Sequence, residues 1–257
     1  MNGIFLQGGG GKGAYQAGVI SALSDLGIKM DVICGTSIGA VNGYFIYSGN
    51  EDKLEEYWMS LKTQVNVKTE DSTIDNSFLF DYIKKMDKIK NEKDFYINYT
   101  EVKGTRLKEL SPNMRGRNKE DIIEKMVYTT LLPKRSGYEV TEEKMQDYDS
   151  RELFDMFKED LKKGLYDGYH LDGGIINNEF MNPFLENKVD KLYIVSFIKD
   201  FRLPEYIYEN YRENQIVDLS PNFKFEKYHM VTFDRDFVKE KFEYGYDYAK
   251  KTIQSLL

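Results

Sequence analysis

Short apolar runs alternate with helix-spaced apolar stripes from the first residues of the chain. Ile4-Phe5-Leu6 predicts a strand, and Ala17, Ile20 and Leu23 then recur at helical spacing. Asp31-Val32-Ile33-Cys34 predicts a second strand. The run that follows, Ile38, Ala40, Val41, Gly43, Tyr44, Phe45 and Ile46, is apolar or small on nearly every side, which predicts a helix buried against a sheet. Strand, glycine turn, helix, strand, turn and helix in that order open a wound, mainly parallel sheet.

The same reading continues along the chain. Asn50 is placed to cap a helix carrying Leu54, Tyr57, Trp58 and Leu61, with Trp58 in core packing. Asn76 or Ser77 opens another, with Leu79, Tyr82, Ile83 and Met86 on one face, and Phe95, Ile97 and Tyr99 alternate as in a half-buried strand. Ile122, Ile123, Met126, Val127 and Thr130 form a helical stripe that Pro133 terminates. Residues 134–168 are polar, hold an amphipathic helix with Ser150 as its cap and Leu153, Phe154, Phe157 and Leu161 on it, and read as an excursion from the sheet. Leu192 to Ile198 is a near-continuous apolar run, typical of a parallel strand buried on both faces. A long helix through Val238, Phe242, Gly245, Ala249, Ile253 and Leu256 closes the pattern. The expectation is a three-layer α/β/α fold in a single domain over residues 1–257, with no linker and no internal repeat.

Composition narrows the partners. A net charge of −7 opposes a general electrostatic grip on nucleic acid or anionic membrane. The basic cluster Arg115-Gly116-Arg117-Asn118-Lys119 reads as a solvated loop ahead of a helix. Cys34 is the single cysteine, so no internal disulfide forms and nothing calls for an oxidising compartment. The opening residues leave no room for a signal peptide, and no run approaches the ~18 apolar residues of a membrane span. A cytoplasmic protein, at most peripheral at a membrane through apolar loops, is the expectation; the pattern sets no oligomeric state.

Two turns carry candidate chemistry. Gly35-Thr36-Ser37-Ile38-Gly39 holds a serine between the second strand and its helix, where flanking glycines allow a sharp turn that presents Oγ as a nucleophile. Gly8-Gly9-Gly10-Gly11-Lys12-Gly13 joins the first strand to the first helix and lets successive N–H groups face one anion. A nucleotide P-loop would need glycine at position 6 and Ser or Thr at position 13, which Leu6 and Gly13 occupy. Gly8, Gly10 and Gly13 do satisfy a dinucleotide fingerprint, but Asp31 stands at the beginning of the second strand, where a ribose-binding acid belongs at its end. No cofactor is therefore expected. Both turns follow consecutive strands and share one sheet edge, so the glycine turn, with the N–H of Ile38, can instead receive an acyl-transfer oxyanion.

The serine needs a base. His229 lies downstream in the order Ser37, Asp172, His229 of a conventional triad, but without turn chemistry to place it. Asp172, before Gly173 and Gly174, is the better candidate, provided it is shielded from water so that its proton affinity rises.

Together, Gly8 to Gly13, Gly35 to Gly39 and Asp172-Gly173-Gly174 resemble the patatin-like phospholipase family. Thr129-Thr130-Leu131-Leu132-Pro133, Tyr169-His170-Leu171, Asn177-Asn178 and Gly245-Tyr246 are similar to the family's flanking segments. The resemblance implies that Ser37 is an acyl nucleophile and Asp172 its base. It further implies that the N–H groups of Gly9, Gly10 and Gly11 form an oxyanion site, with Lys12 adding charge nearby and without a catalytic metal. The expected activity is hydrolysis of lipid carboxylic esters, of phospholipase A or lysophospholipase type, with a lipid or phospholipid as substrate. A catalytically silent binding protein on the same fold is the alternative. The interval from Pro133 to Asp172 is longer than the family's, and Asn177 to Asn182 lacks the proline usual after the paired asparagines.

Overall fold

The computed structural model describes residues 1–62, 72–86, 92–135 and 150–256. Among these residues seven strands form one sheet in the order β4-β3-β2-β1-β6-β7, with β5 paired to β3. Their ranges are β1 Asn2–Leu6, β2 Val32–Thr36, β3 Asp94–Lys103, β4 Arg106–Leu110, β5 His170–Asp172, β6 Lys191–Val195 and β7 Ile216–Asp218. β1, β2, β3, β6 and β7 pair in parallel, whereas β4 and β5 run antiparallel to β3. The architecture is thus the mainly parallel α/β sheet expected, with an antiparallel extension built on β3.

Residue alternation along the strands divides the core. Ile4 and Leu6 of β1 share one cluster with Ile33, Phe95 and Val195, and with helices α1 (Gly13–Asp25), α2 (Ile38–Ser48), α3 (Leu54–Ser60) and α5 (Lys119–Thr130). Phe5, Val32, Cys34 and Ile194 point to the other face, against α7 (Pro183–Glu186) and α8 (Glu205–Asn210). Three layers result. Cys34 is fully buried in the second cluster, where burial pushes its thiol pKa up.

β3 exceeds the half-buried strand expected. Asn98, Thr100 and Val102 on its second face are as buried as Phe95 and Ile97 on the first. A third cluster under the C-terminal half of β3 joins Val102 and Leu171 to Phe157 of α6 (Ser150–Lys162). That helix belongs to the 134–168 excursion, of which residues 136–149 lie outside the described residues, as does the side chain of Ser150. Arg135 ties the helix to the body, its Nε and Nη2 each donating at 3.0 Å to the Asp160 carboxylate.

Other local expectations shift in detail. Asn50 heads a 3₁₀ turn and donates to Ser48 O at 3.1 Å, so it does not cap α3 with its side chain. The segment from Ser77 splits into a 3₁₀ turn, Ser77–Leu79, and the short α4, Asp81–Lys85. The apolar run after position 191 leaves the sheet at Val195, with Phe197 buried beside the glycine turn. Asn118 caps α5 by accepting from Asp121 N at 2.8 Å, and the basic residues ahead of it are paired on the surface, Arg115 with Asp94 and Arg117 with Asp121.

The last helix, α9 (Arg235–Gln254), crosses α1 backbone to backbone. A Cβ on Gly18 would lie 2.0 Å from Phe242 O, and one on Gly245 would lie 2.1 Å from Tyr15 O. Either glycine replaced by alanine forces the helices apart. Gly18→Ala is expected to cost roughly 1–3 kcal/mol, read as a lower urea midpoint at unchanged slope.

Candidate active site

The two turns leave adjacent parallel strands at the same edge of the sheet. Residues 8–13 follow β1, and Gly10–Lys12 form a 3₁₀ turn leading directly into α1. Asn178 holds the entrance of this turn from both sides: its Oδ1 accepts from Gly8 N at 2.9 Å and its Nδ2 donates to Gly8 O at 3.1 Å. Gly10 has φ 56°, and a Cβ there would lie 2.0 Å from Met230 O. The N–H groups of Gly10 and Gly11, in the first turn of the 3₁₀ helix, precede any acceptor within it. Buried amides brace the turn from behind. Asn42 Nδ2 donates to Gly13 O and Gln16 Oε1, both at 3.0 Å, while its Oδ1 accepts from Trp58 Nε1 at 2.9 Å.

Ser37 is one of two non-glycine residues among those described with positive φ, at φ 54° and ψ −127°. Such a conformation costs on the order of 1–3 kcal/mol and persists only where its surroundings enforce it. Here Ser37 N donates to Thr129 Oγ1 at 2.9 Å, and Ser37 O accepts from Ala40 N at 2.9 Å. Gly39 lets α2 start against β1, since a Cβ there would stand 2.1 Å from Leu6 O. The result is a serine on a sharp strand-to-helix turn, with the orphan N–H of Ile38 at the start of α2 beside it.

β3 brings Asp172 to this serine. Its first half pairs with β2, ending at Thr36 opposite Asn98, and its second half pairs with antiparallel β5, ending at Asp172 opposite Tyr99. The two strands therefore point their ends at each other along one edge of β3. Asp172 is 4% exposed, its N donates to Leu131 O at 2.8 Å, and its O accepts from Thr100 Oγ1 at 3.0 Å. Oδ1 accepts from Gly174 N at 2.7 Å, and the Ser37 side chain lies beside the carboxylate, where it favours the ionised form. Burial raises the Asp172 pKa to about 6, against the opposing pull of the Ser37 side chain and the Gly174 N–H.

These residues open into a cavity of about 680 Å³. Gly8, Gly9, Gly10, Ser37, Ile38, Asp172 and Gly174 form its base. Apolar walls come from three separate segments, chiefly Ile74, Phe78 and Leu79; Phe154; and Met230, Val231 and Phe233. Lys134, Arg151 and Lys158 bring positive charge to the lining, with Asp75 and Asp155 among them; Lys158 pairs with Asp155 at 3.2 Å. Among the described residues no group of three or more His, Cys, Asp or Glu side chains is arranged to hold a metal. No helix among them is long and apolar enough to cross a membrane.

Not every residue expected at the site reaches it. Gly11 and Lys12 lie outside the lining: Gly11 packs beneath Thr232 O, and Lys12 Nζ sits 5.9 Å from the centre of the Phe225 ring. Burial lowers the Lys12 pKa. Gly35, Gly39 and Gly173 let backbone segments pack closely, and Gly13 makes room for the Ile38 and Trp58 side chains. His229 also stays apart from Ser37. Its Nδ1 accepts from Glu226 N at 3.0 Å in the 3₁₀ turn Lys227–Met230, and its ring packs on Phe237 at 4.7 Å, so the structure does not assemble the conventional triad. His170 stacks on Tyr128 at 4.4 Å. Thr129 and Asn178, known from the sequence only as flanking similarity, hold the serine turn and the glycine turn.

The chain matches the patatin-like phospholipase family over residues 4–240, and it belongs to that family. Among curated relatives, "Lysophospholipase nte1" of Aspergillus terreus is 47% identical over 60 residues, and the protein of the same name from Aspergillus niger is 45% identical over 60 residues. Each alignment covers 23% of this chain and 4% of the relative, so the matched region is a small part of those proteins. A solved structure, VipD from Legionella pneumophila, aligns over 99% of this chain and 67% of its own at a TM-score of 0.45 and 10% identity.

The raised Asp172 pKa has a consequence for stability. Between the ordinary carboxyl value of 3.8 and about 6 the folded chain binds more protons than the unfolded one, so Asp172 makes stability fall as pH rises through that window. Above it, the ionised carboxylate costs the fold on the order of 3 kcal/mol. Asp172→Asn, which keeps an acceptor for Gly174 N, is expected to melt several degrees above the unsubstituted protein at pH 8 and to converge with it at pH 4, as read by calorimetry.

Proposed function

We propose that the protein is a serine acyl hydrolase of lipid esters, of lysophospholipase or phospholipase A type, in which Ser37 is the nucleophile and Asp172 its base. The observation that carries this reading is a buried carboxylate with a pKa of about 6 that lines the base of an apolar cavity together with a serine on a strained turn. Family membership and the lysophospholipase relatives support the lipid class of substrate.

In the proposed reaction, ionised Asp172 accepts the Ser37 proton as Oγ attacks the ester carbonyl carbon. The carbonyl oxygen becomes an oxyanion facing the N–H groups of Gly9, Gly10 and Ile38, and each such donor is worth about 3–4 kcal/mol of barrier. The carbon–oxygen bond to the alcohol then breaks, and Asp172 returns the proton to the departing alkoxide. Water attacks the acyl-Ser37 ester while Asp172 again takes a proton, and Ser37 Oγ leaves with it, releasing the carboxylic acid. A pKa near 6 suits both directions of transfer at neutral pH.

The apolar walls suit an acyl chain, and Lys134, Arg151 and Lys158 suit an anionic group on the alcohol side. Exposed Ile176 and Ile198 follow β5 and β6 at the cavity's edge of the sheet and are placed for shallow contact with a lipid surface, which an acidic chain would make through apolar residues.

Ser37→Ala and Asp172→Asn are each expected to abolish release of fatty acid from lysophospholipid, whereas His229→Ala retains it. A fluorophosphonate probe should label Ser37 in the folded protein. Activity lost only in the histidine variant, or a folded protein that neither labels nor cleaves, would overturn the reading. The kcat/KM profile is expected to rise with pH to a plateau through an apparent pKa near 6, since only the ionised carboxylate accepts the proton.

A further inference from the structure

The second face of β3 carries a buried amide that the reaction above does not use. Asn98 is fully buried and forms three side-chain hydrogen bonds. Its Oδ1 accepts from Thr36 Oγ1 at 2.7 Å, at the residue immediately before Ser37. Its Nδ2 donates to Asn177 O at 2.8 Å and to Glu109 Oε1 at 3.0 Å. Asn177 belongs to the turn that begins at Asp172: its N donates to Gly173 O at 2.9 Å, and its Nδ2 donates to the same Glu109 Oε1 at 3.1 Å. The Asp172 turn rests directly on this amide. A Cβ on Gly173 would stand 2.6 Å from Asn98 Oδ1 and 2.4 Å from Asn98 O.

One side chain therefore binds the end of the strand that delivers the serine and the turn that delivers the carboxylate. β2 and β5 meet end to end on β3 and have no hydrogen-bonded ladder with each other, so strand pairing alone leaves their separation to the backbone of β3. Asn98 closes that junction through side-chain bonds, the one to Thr36 fully buried and those to Asn177 and Glu109 part-buried, where an unpaired partner of the buried amide is costly. Glu109, on β4 across the ladder, orients the amide by accepting from Asn98 and Asn177 together, which fixes Asn98 with Oδ1 toward Thr36.

We propose that Asn98, oriented by Glu109, is a positioning residue that sets the approach of Ser37 to Asp172. It touches no substrate and acts through Thr36 and the Asn177 turn. The inference rests on the Ser37–Asp172 reading above. Weakening the junction lets the serine hydroxyl and the carboxylate separate, and a misplacement of about 1 Å at reacting groups costs up to roughly 100-fold in rate.

The test measures kcat, KM, the acid limb of kcat/KM and the melting temperature on lysophospholipid micelles for Asn98→Ala, Thr36→Val, Glu109→Ala and Glu109→Gln. Asn98→Ala is expected to lower kcat about 10- to 100-fold at little changed KM. It should also move the acid limb to higher pH, because the Ser37 side chain, whose nearness lowers the Asp172 pKa, is drawn away from the carboxylate. Thr36→Val and Glu109→Ala should change kcat and the acid limb in the same directions by less, and Glu109→Gln, which keeps Oε1 as acceptor, should restore both. A role in stability alone would lower the melting temperature while leaving kcat per folded molecule and the acid limb in place, and that result overturns the proposal. Should Asn98→Ala not fold, Thr36→Val and Glu109→Ala decide it, and unchanged kcat and acid limb in both overturn it. An unsubstituted protein that cleaves no lipid ester would instead refute the underlying function, which separates the two failures.

Discussion

The meeting of β2 and β5 on a single edge of β3 is the constraint on which the rest of the site depends. A parallel strand arrives from one direction and an antiparallel one from the other, so residues 37 and 172 come together although 134 positions separate them in sequence. A sheet with only parallel strands would point both ends the same way and leave a gap of at least one strand spacing between their side chains. The antiparallel segment needs just three residues, His170–Asp172, because its task is to end at the right place.

Once the carboxylate is there, its environment decides what it can do. It is buried, and desolvation outweighs the Ser37 side chain and the Gly174 N–H that favour its ionised form, so its proton affinity rises. The same desolvation that makes an aspartate basic enough to accept a proton makes it a burden to the fold above its pKa. On the proposed reading, function and stability are set against each other at this one carboxylate, a common trade-off at active sites. The strain at Ser37 is a second cost in the same place, sustained by Thr129 and by the glycines that let α2 begin against β1.

The parts legible in the sequence are those dictated by local backbone requirements. Gly8 to Gly13, Gly35 to Gly39 and the Asp172 turn announce themselves because residues without a Cβ are needed where chain segments approach within van der Waals distance. The wound sheet was equally legible, since the apolar runs at Ile4, Val32 and Leu192 have strand length and are followed by turns. Asn98 was hidden because the alternation of Phe95, Ile97 and Tyr99 describes one face of β3, whereas Asn98 belongs to the other, buried face, where a polar residue looks like solvent exposure. The cavity walls were hidden for a different reason: residues near 76, 154 and 232 converge only through tertiary packing, and no periodicity within any one segment records that. Lys12 illustrates the limit of motif reading, for its place beside the glycine turn is as expected while its side chain runs to Phe225 and away from the cavity.

The crossing of α1 and α9 extends these dependencies to the time at which the site can exist. α1 grows directly out of the glycine turn, and its backbone at Tyr15 lies against Gly245. The base of the cavity thus leans on residues made more than two hundred positions later, a topology of long sequence separations that folds slowly. During synthesis the nascent chain would hold Ser37 and Asp172 well before the helix that braces α1 has emerged, so a half-made molecule would carry both side chains without a finished chamber around them.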